Sequence, residues 1–321
     1  MRQNRSVEKI KIGVSSCLLG NKVRFDGQHK RDAFITDTLS RWCEFVPVCP
    51  EVECGLPIPR ETLRLVGTVD DNRLVTGKTG VDHTERMNRW AATRLEKLAE
   101  DDLVAFIFKT KSPSSGLRAV KVYGVKGQPV SYKGRGLFAR AFTRRFPDIP
   151  VEDEGRLKDA GIRENFIETI FVLQRWRENV RGGGAGNLVD FHTRHKYTLM
   201  AHSPDRLRDL GRIVARGGSQ PAESLLDEYL EILRDTLAIK KTAKKNANVL
   251  MHMVGYFRKD LSKEEKDELL EEVDRYRIDI NPLLVPLTLI RHYARKYDQA
   301  YLLDQYFLNP HPVELGLLNH V

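Results

Sequence analysis

The chain has 321 residues, enough for two domains of ordinary size, each with its own hydrophobic core. It is 41% hydrophobic and 30% charged, as in soluble globular proteins, and it has no apolar run of roughly 18 residues that would span a membrane. The 53 basic residues exceed the 44 acidic ones, and the net charge of +9 is compatible with a nucleic-acid partner or with a generic basic protein. The N-terminus lacks the pattern of a secretory signal, so we expect a cytoplasmic protein with reduced thiols.

In the first half of the chain, predicted strands alternate with helical segments. We expect strands at 9–15, 45–48, 103–109 and about 150–151, and helices at 31–42, 81–100 and 136–146. Strands separated by helices of this length favour a parallel sheet with helices packed on it. The first half is therefore predicted to be a layered α/β domain.

The second half has a helical pattern almost throughout. The predicted helices lie at 163–180, 188–202, 205–216, 222–237, 240–258, 262–277, 284–296 and 299–307. We place the domain boundary near residue 155, which predicts an α/β domain at 1–155 and an all-α domain at 156–321.

Polar loops directly follow three of the predicted strands. Their sequences are SSCLLGNKVRFDG at 15–27, CPEVECGLPIPRE at 49–61 and KTKSPSSGL at 109–117. In open α/β sheets, ligands bind at the carboxyl ends of the strands. We therefore expect the three loops to converge on one site.

Three of the four cysteines, Cys17, Cys49 and Cys54, lie in these loops. A disulfide is disfavoured in a reducing compartment, whereas three converging thiolates suit an iron–sulfur cluster or zinc. The alternative is that they are small buried hydrophobic residues. Cys43 lies at a predicted helix–strand junction, and we expect it to serve packing.

The loops and the helical half carry the motifs of a known family. VSSCLLGNKVRFDG, CPEVECGLPIPRE and KSPSSG resemble the signatures of the TudS-type thiouracil desulfidases. LVDFHTRHKYTLMAHSP, KKNANVLMHMVGYF and YFLNPHPVELGLLNH resemble the helical domain that is fused to them in RudS-type tRNA 4-thiouridine desulfidases. The resemblance covers essentially the whole chain. It implies a 4Fe–4S cluster held by three cysteines and the removal of sulfur from a thiolated pyrimidine without net redox chemistry.

Matched residue by residue, the resemblance implies Cys17 and Cys49 as cluster ligands. The family's third ligand is the cysteine of SPSCG, a position that is Ser115 in this chain. Cys54 stands where the family usually has a small residue, and we interpret it as the replacement third ligand. The alternative is that the change at position 115 has damaged the cluster.

The resemblance also implies the catalytic residues. Glu51 would be the acid/base residue that activates water, which requires a raised pKa, and Ser112 would hydrogen-bond the leaving sulfur or the developing oxyanion. The alternative roles are an ion pair of Glu51 with Arg60 or Arg64, and a turn residue before Pro113.

Candidate substrate contacts come from both halves. Three residues of the motif loops are candidates for contacting the base or a phosphate, although each is more often a surface ion-pair partner: Arg24, Asp26 and Lys111. Four lysines are predicted on adjacent faces of one helix and are expected to contact RNA phosphates, unless they form an ordinary solvated face: Lys240, Lys241, Lys244 and Lys245. His192 and His195 have no third metal ligand in view, and we expect helix packing or RNA contact.

Together these features predict an iron–sulfur-dependent, hydrolytic desulfidase that converts 4-thiouridine in tRNA to uridine. Two alternatives remain from the sequence. The first is a desulfidase for free thiopyrimidine bases, and the second is a nucleic-acid-binding protein that has lost the cluster.

Overall fold

A computed structural model describes residues 9–217 and 223–319. The chain divides into two compact units, Met1–Asp159 and Ala160–Val321. The first unit combines strands and helices, and the described residues of the second form helices and turns. The predicted fold class, an α/β domain followed by an all-α domain, is confirmed.

The described part of the first unit contains two four-stranded sheets and three α-helices. The strands are β1 (Ile10–Ser15), β2 (Cys43–Val48), β3 (Leu63–Gly67), β4 (Asn72–Thr76), β5 (Ala105–Phe108), β6 (Val120–Tyr123), β7 (Pro129–Gly134) and β8 (Val151–Asp153). The helices are α1 (Pro50–Glu53), α2 (Thr84–Glu100) and α3 (Leu137–Arg145). The segment predicted as a helix at 31–42 forms only a π-helical turn, Phe34–Thr38, followed by a 3-10 turn, Leu39–Arg41.

The first sheet, sheet A, has the strand order β2-β1-β5-β8, and all its strands are parallel. All four residues of β5 are buried, as expected for a strand that is covered on both faces. Phe106 and Phe108 of this strand pack against Phe138 and Phe142 of α3. The parallel sheet predicted from the alternating elements is therefore present, and its core lies between β5 and the helices.

The second sheet, sheet B, was not predicted from the sequence. Its order is β4-β3-β6-β7, with β3 antiparallel to β4 and parallel to β6, and β6 antiparallel to β7. Successive side chains of a strand point to opposite faces. Leu65, Leu74 and Val122 consequently lie in a buried cluster, whereas Lys121 on the other face of β6 is exposed.

The second unit is built from helices around an aromatic and aliphatic core. Its α-helices are α4 (Ala160–Asn179), α5 (Ala185–His202), α6 (Pro204–Arg216), α7 (Glu223–Ala238), α8 (Ala243–Val254), α9 (Lys263–Arg277), α10 (Leu284–Lys296) and α11 (Ala300–Leu303). Phe257, Leu250 and Leu287 are among its fully buried residues. Among the helices of the described ranges, none combines the length and apolar composition that a membrane span requires.

Candidate active site

The loops that follow β1, β2 and β5 enclose one cavity of about 380 Å³. These three strands are neighbours in sheet A, so their carboxyl ends lie side by side. The hydroxyl of Ser15, at the end of β1, accepts a hydrogen bond of 2.8 Å from the backbone N–H of Lys109, just after β5. The prediction that the three loops converge on one site is confirmed.

Two of the predicted ligands, Cys17 and Cys49, line this cavity. Cys17 lies in the turn after β1, and Cys49 precedes the short helix α1. Burial raises the pKa of each thiol to about 11, although the nearby ammonium of Lys109 opposes the rise at Cys17. Without a bound metal both cysteines are therefore neutral thiols at physiological pH.

The third predicted ligand, Cys54, does not line the cavity. It follows α1 and packs in the hydrophobic cluster beneath sheet B, with Leu56, Leu65 and Met87. Its Sγ lies 3.3 Å from the backbone oxygen of Glu51, and burial raises the pKa of its thiol. The turn of α1 between the two cysteines places Cys54 outside the lining of the cavity, and its role as third ligand stays a prediction.

Ser115 lines the cavity instead, at the position where the family resemblance expects the third cysteine. Its side chain is buried, and its backbone N–H donates to Ser112 Oγ at 3.1 Å. Across 9–217 and 223–319, no group of three or more His, Cys, Asp or Glu side chains is arranged to hold a metal ion. The cavity therefore offers two thiols, with a hydroxyl at the position of the family's third cysteine. Cys43 is buried at the start of β2 and does not line the cavity.

Glu51 lines the cavity from α1 and forms an ion pair with Arg60. The Nε and Nη2 atoms of Arg60 both donate to Glu51 Oε2, at 3.0 and 2.5 Å. Arg60 Nη2 also donates to the backbone oxygen of Val23 at 2.9 Å, so this guanidinium connects the first loop to the second. The ion pair with Arg60, which the sequence offered as an alternative to catalysis, fixes the carboxylate within the cavity.

A chain of hydroxyl groups joins Ser112 to Glu51. Ser114 Oγ donates to Glu51 Oε1 at 2.8 Å, and the Oγ atoms of Ser112 and Ser114 are 3.0 Å apart. Because the single hydroxyl hydrogen of Ser114 is donated to Glu51, the Ser114 oxygen accepts the hydrogen bond from the Ser112 hydroxyl. Ser114 was not singled out from the sequence, although it lies inside the recognised motif.

The N-terminus of α3 braces the loop that contains these serines. The backbone N–H of Phe138 donates to the carbonyl of Ser114 at 2.9 Å, and that of Gly136 donates to the carbonyl of Gly116 at 2.8 Å. A Cβ atom at Gly136 would lie 2.5 Å from the carbonyl of Ser114, which only glycine avoids. The backbone of the third loop is thus held by hydrogen bonds and by close packing.

Basic side chains dominate the charge of the cavity. Its lining contains five basic residues and one acidic residue, Glu51; the basic ones are Arg24, Lys30, Arg60, Lys109 and Lys111. Asp26, a predicted substrate contact, does not line the cavity and pairs instead with Arg24 at 3.3 Å. Lys109 pairs with Glu154. Three of the five cations are thus paired with carboxylates, and the remaining positive charge, on Lys30 and Lys111, suits an anionic substrate.

The structure corrects the bounds of the helix that was predicted to carry four lysines. Helix α8 begins at Ala243, capped by the side chain of Thr242, so Lys240 and Lys241 precede the helix. Lys240 and Lys244 are exposed to solvent. The helix starts later than predicted because Thr242 is its N-cap residue.

The remaining two lysines of this group bond within the helical unit. Lys241 Nζ lies 2.8 Å from Glu168 and 3.5 Å from Glu164, and its side chain is 8% exposed. Lys245 Nζ donates to the backbone oxygen of His202, the last residue of α5, at 2.8 Å. Two of the four lysines thus have partners within the helical unit, and RNA contact by the group stays a prediction.

His192 and His195 do not form a metal pair. His192 Nδ1 lies 3.0 Å from the hydroxyl of Tyr229, and His195 Nδ1 lies 2.7 Å from the backbone oxygen of Phe191. Burial lowers the pKa of His192 to about 4 and that of His195 to about 3. Both are neutral imidazoles that pack between helices.

Comparisons with known proteins find separate matches for two parts of the chain. Residues 12–154 match the family model of 2-thiouracil desulfurase, and residues 196–312 match a family of proteins of unknown function, DUF1722. The uncharacterized protein YbgA of Escherichia coli (strain K12) is 34% identical over 152 residues, which is 47% of this chain and 89% of YbgA. Among solved structures, the [4Fe-4S]-dependent thiouracil desulfidase TudS is 32% identical, with a TM-score of 0.40, over 47% of this chain and 95% of TudS.

Proposed function

Because this chain belongs to the family that joins a 2-thiouracil desulfurase domain to a helical domain of unknown function, we propose that it removes sulfur from 4-thiouridine in tRNA. Family membership supports a thiopyrimidine desulfidase as the class of enzyme. The main support for the proposal is the cavity lined by Cys17, Cys49 and Glu51, because it places two soft sulfur donors and a carboxylate side by side.

The proposal includes a 4Fe–4S cluster, and the donor set fits such a cluster in part. Cys17 and Cys49 would hold it as thiolates, so cluster binding must displace two protons from thiols whose pKa values are raised to about 11. The third protein donor in the cavity would be the hydroxyl of Ser115, a harder ligand than a thiolate. When bound, the cluster supplies an iron that polarises the carbon–sulfur bond as a Lewis acid.

The reaction exchanges a thiocarbonyl and water for a carbonyl and hydrogen sulfide, and no electrons are transferred. In the proposed mechanism, Glu51 takes a proton from the water whose oxygen bonds to the ring carbon. Arg60 keeps the carboxylate in position through its two hydrogen bonds. In the free site both hydroxyls donate towards Glu51. Once Glu51 is protonated the hydroxyls reverse these hydrogen bonds, so that Ser114 and Ser112 pass a proton from Glu51 to the departing sulfur as the carbon–sulfur bond breaks.

A polynucleotide substrate is supported by the motifs of the helical half and by the basic lining of the cavity. The cavity volume of about 380 Å³ suits a single nucleotide but equally a free base. A desulfidase for free thiopyrimidine bases is therefore the second candidate function.

An anaerobic assay tests both candidates. The chain is reconstituted with iron and sulfide, its iron content is measured, and hydrosulfide release is followed with tRNA containing 4-thiouridine and with free 4-thiouracil. We expect a higher kcat/KM for the tRNA. Equal or higher kcat/KM for the free base would support the second candidate. Iron-loaded protein that releases no hydrosulfide from either substrate would refute the enzyme and favour a nucleic-acid-binding protein.

A further inference from the structure

A second concave surface lies directly beside the cavity, and we call it the sheet-B groove. It has a volume of about 660 Å³ and shares Thr62, Leu63, Lys111 and Pro113 with the lining of the cavity. Cations and tyrosines dominate its lining: Arg64, Lys78, Lys111, Lys121, Tyr123 and Tyr132. A linear polymer whose end enters the cavity can therefore continue along the groove in contact with the protein.

The strand period of sheet B produces this lining. In β6, Val120 and Val122 lie in the buried cluster, so Lys121 and Tyr123 between and after them point to the other face. In β3, Leu65 is buried in the same cluster, and Arg64 precedes it on the groove face. The groove is consequently the outer face of a sheet whose inner face forms a core.

Each tyrosine of the groove is paired with a cation. The guanidinium of Arg64 lies 5.8 Å from the ring centre of Tyr123, and Lys121 Nζ lies 5.6 Å from the ring centre of Tyr132. The Tyr132 ring is 59% exposed, although large aromatic side chains are usually covered. The groove thus offers flat apolar faces with a positive charge next to each.

Within residues 9–217 and 223–319, the cations of the groove have no carboxylate partner. Among the residues that the structure describes, none of the four side chains of Arg64, Lys78, Lys111 and Lys121 forms an ion pair, and no acidic residue lines the groove. The buried Nε of Arg64 has no hydrogen-bond acceptor. Neighbouring cations behave differently: Arg73 of β4, for example, lies 3.6 Å from Asp82.

Glu61, the nearest acidic residue along the chain, is engaged elsewhere. Its Oε2 accepts hydrogen bonds of 3.2 Å from the backbone N–H groups of Lys78 and Thr79, and one of 3.1 Å from Thr79 Oγ1. These bonds hold the turn at the edge of the groove. The charge of the groove therefore calls for an anionic partner from outside the chain.

We propose that the sheet-B groove binds the single-stranded RNA segment that flanks the thiolated nucleotide. This rests on the proposed function, because the flanking segment is defined by the nucleotide that enters the cavity. Phosphates are the partners that unpaired Lys and Arg side chains take, and exposed aromatic rings stack on unpaired bases. The substrate is accordingly an RNA with unstacked nucleotides at the thiolated site, and the desulfidase domain itself supplies part of the RNA contact.

Binding of a tRNA transcript without 4-thiouridine tests the groove independently of cluster and chemistry. In the full chain, Tyr132→Ala should weaken binding about 5-fold to 150-fold, since stacking on one aromatic ring contributes that range. Tyr132→Phe keeps the ring and should bind like the wild type. Lys121→Ala should lower the slope of log Kd against log salt by about 0.7, the value for one phosphate contact on a single strand. Lys97→Ala, an exposed lysine of α2, is the matched control and should leave the slope unchanged.

Turnover of free 4-thiouracil separates the groove from the proposed function. Weakened RNA binding in Tyr132→Ala with unchanged turnover of the free base supports the groove. Wild-type RNA affinity and salt slope in both Tyr132→Ala and Lys121→Ala would overturn it while leaving the enzyme intact. An inactive wild-type chain whose RNA binding still depends on Tyr132 would refute the enzyme and retain the groove. If a polyglutamate peptide of matched charge bound as tightly as the transcript, the assignment of RNA as the ligand of the groove would be overturned.

Discussion

Replacing Glu51 by Gln removes the carboxylate and keeps the size of the side chain. In the structure this residue accepts two hydrogen bonds from Arg60 and one from Ser114. If Glu51 moves the proton of the attacking water, the turnover of 4-thiouridine should fall by about 10²-fold to 10⁴-fold. The two bonds to Arg60 are charge-assisted, so the free energy of unfolding of the first unit should fall by about 1.5–3 kcal/mol, which leaves the chain folded.

Arg60→Gln is the matched control, because it removes the same ion pair but keeps the carboxylate. Both variants should lose a similar free energy of unfolding, measured by urea denaturation of the full chain, and both should keep the iron of the wild type. Single-turnover hydrosulfide release should then be far slower in Glu51→Gln than in Arg60→Gln. Equal rates in the two variants would mean that the carboxylate acts only through its ion pair, and the assignment of Glu51 as the base would be refuted.

Ser115→Cys should raise the iron bound per chain after anaerobic reconstitution, because a thiolate replaces a hydroxyl in the cavity. Cys54→Ser should leave the bound iron unchanged. A loss of iron in Cys54→Ser would show that this thiol is a cluster ligand. Lys241→Met should lower the free energy of unfolding in the full chain by about 3–5 kcal/mol, since Glu168 loses its buried ammonium partner and keeps only the imidazole of His202 among its described partners, while Lys244→Ala should change it by less than about 0.5 kcal/mol. Equal effects in urea denaturation would be inconsistent with the buried ion pair. Burial alone would raise the pKa of Glu168, but Lys241 and His202 outweigh it and hold this pKa well below its usual range. The stability that this carboxylate contributes at neutral pH should therefore be lost as the pH falls below the unfolded-state value of about 4.3. Urea denaturation from pH 7 to 3 should show a smaller loss in Lys241→Met.

The sequence was sufficient for those parts of the site that depend on strand order. Cys17, Cys49 and Ser112 follow strands of sheet A, and the carboxyl ends of adjacent parallel strands meet at one edge of the sheet whatever the conformation of the loops. Sheet B escaped prediction because its strands are short and carry charged residues on their outer face, as in β6 with Lys121 exposed. Alternation of buried and exposed residues is a weak signal for a strand of only four residues. In addition, β6 pairs with β3, a strand far from it in the sequence.

Side-chain direction is what the sequence did not determine. Cys54 lies close to Cys49 along the chain, but the intervening turn of α1 directs it into the cluster beneath sheet B. Lys241 was grouped with its neighbours as a surface cation, yet Glu168 on α4 draws it into the interior. In both cases the position of the side chain depends on residues far away in the sequence. Neither the local hydrophobic pattern nor the charge of the residue indicates which residues these are.

The bracing of the third loop by α3 has a consequence for how the enzyme meets its substrate. Since the carbonyls of Ser114 and Gly116 are already bonded to the first turn of α3, this loop is ordered before any ligand arrives. Binding free energy is then not consumed in ordering the hydroxyl chain, which favours a reactive geometry that is already present in the free protein. A methyl group at Gly136, which does not line the cavity, would shift Ser114 and therefore impair turnover.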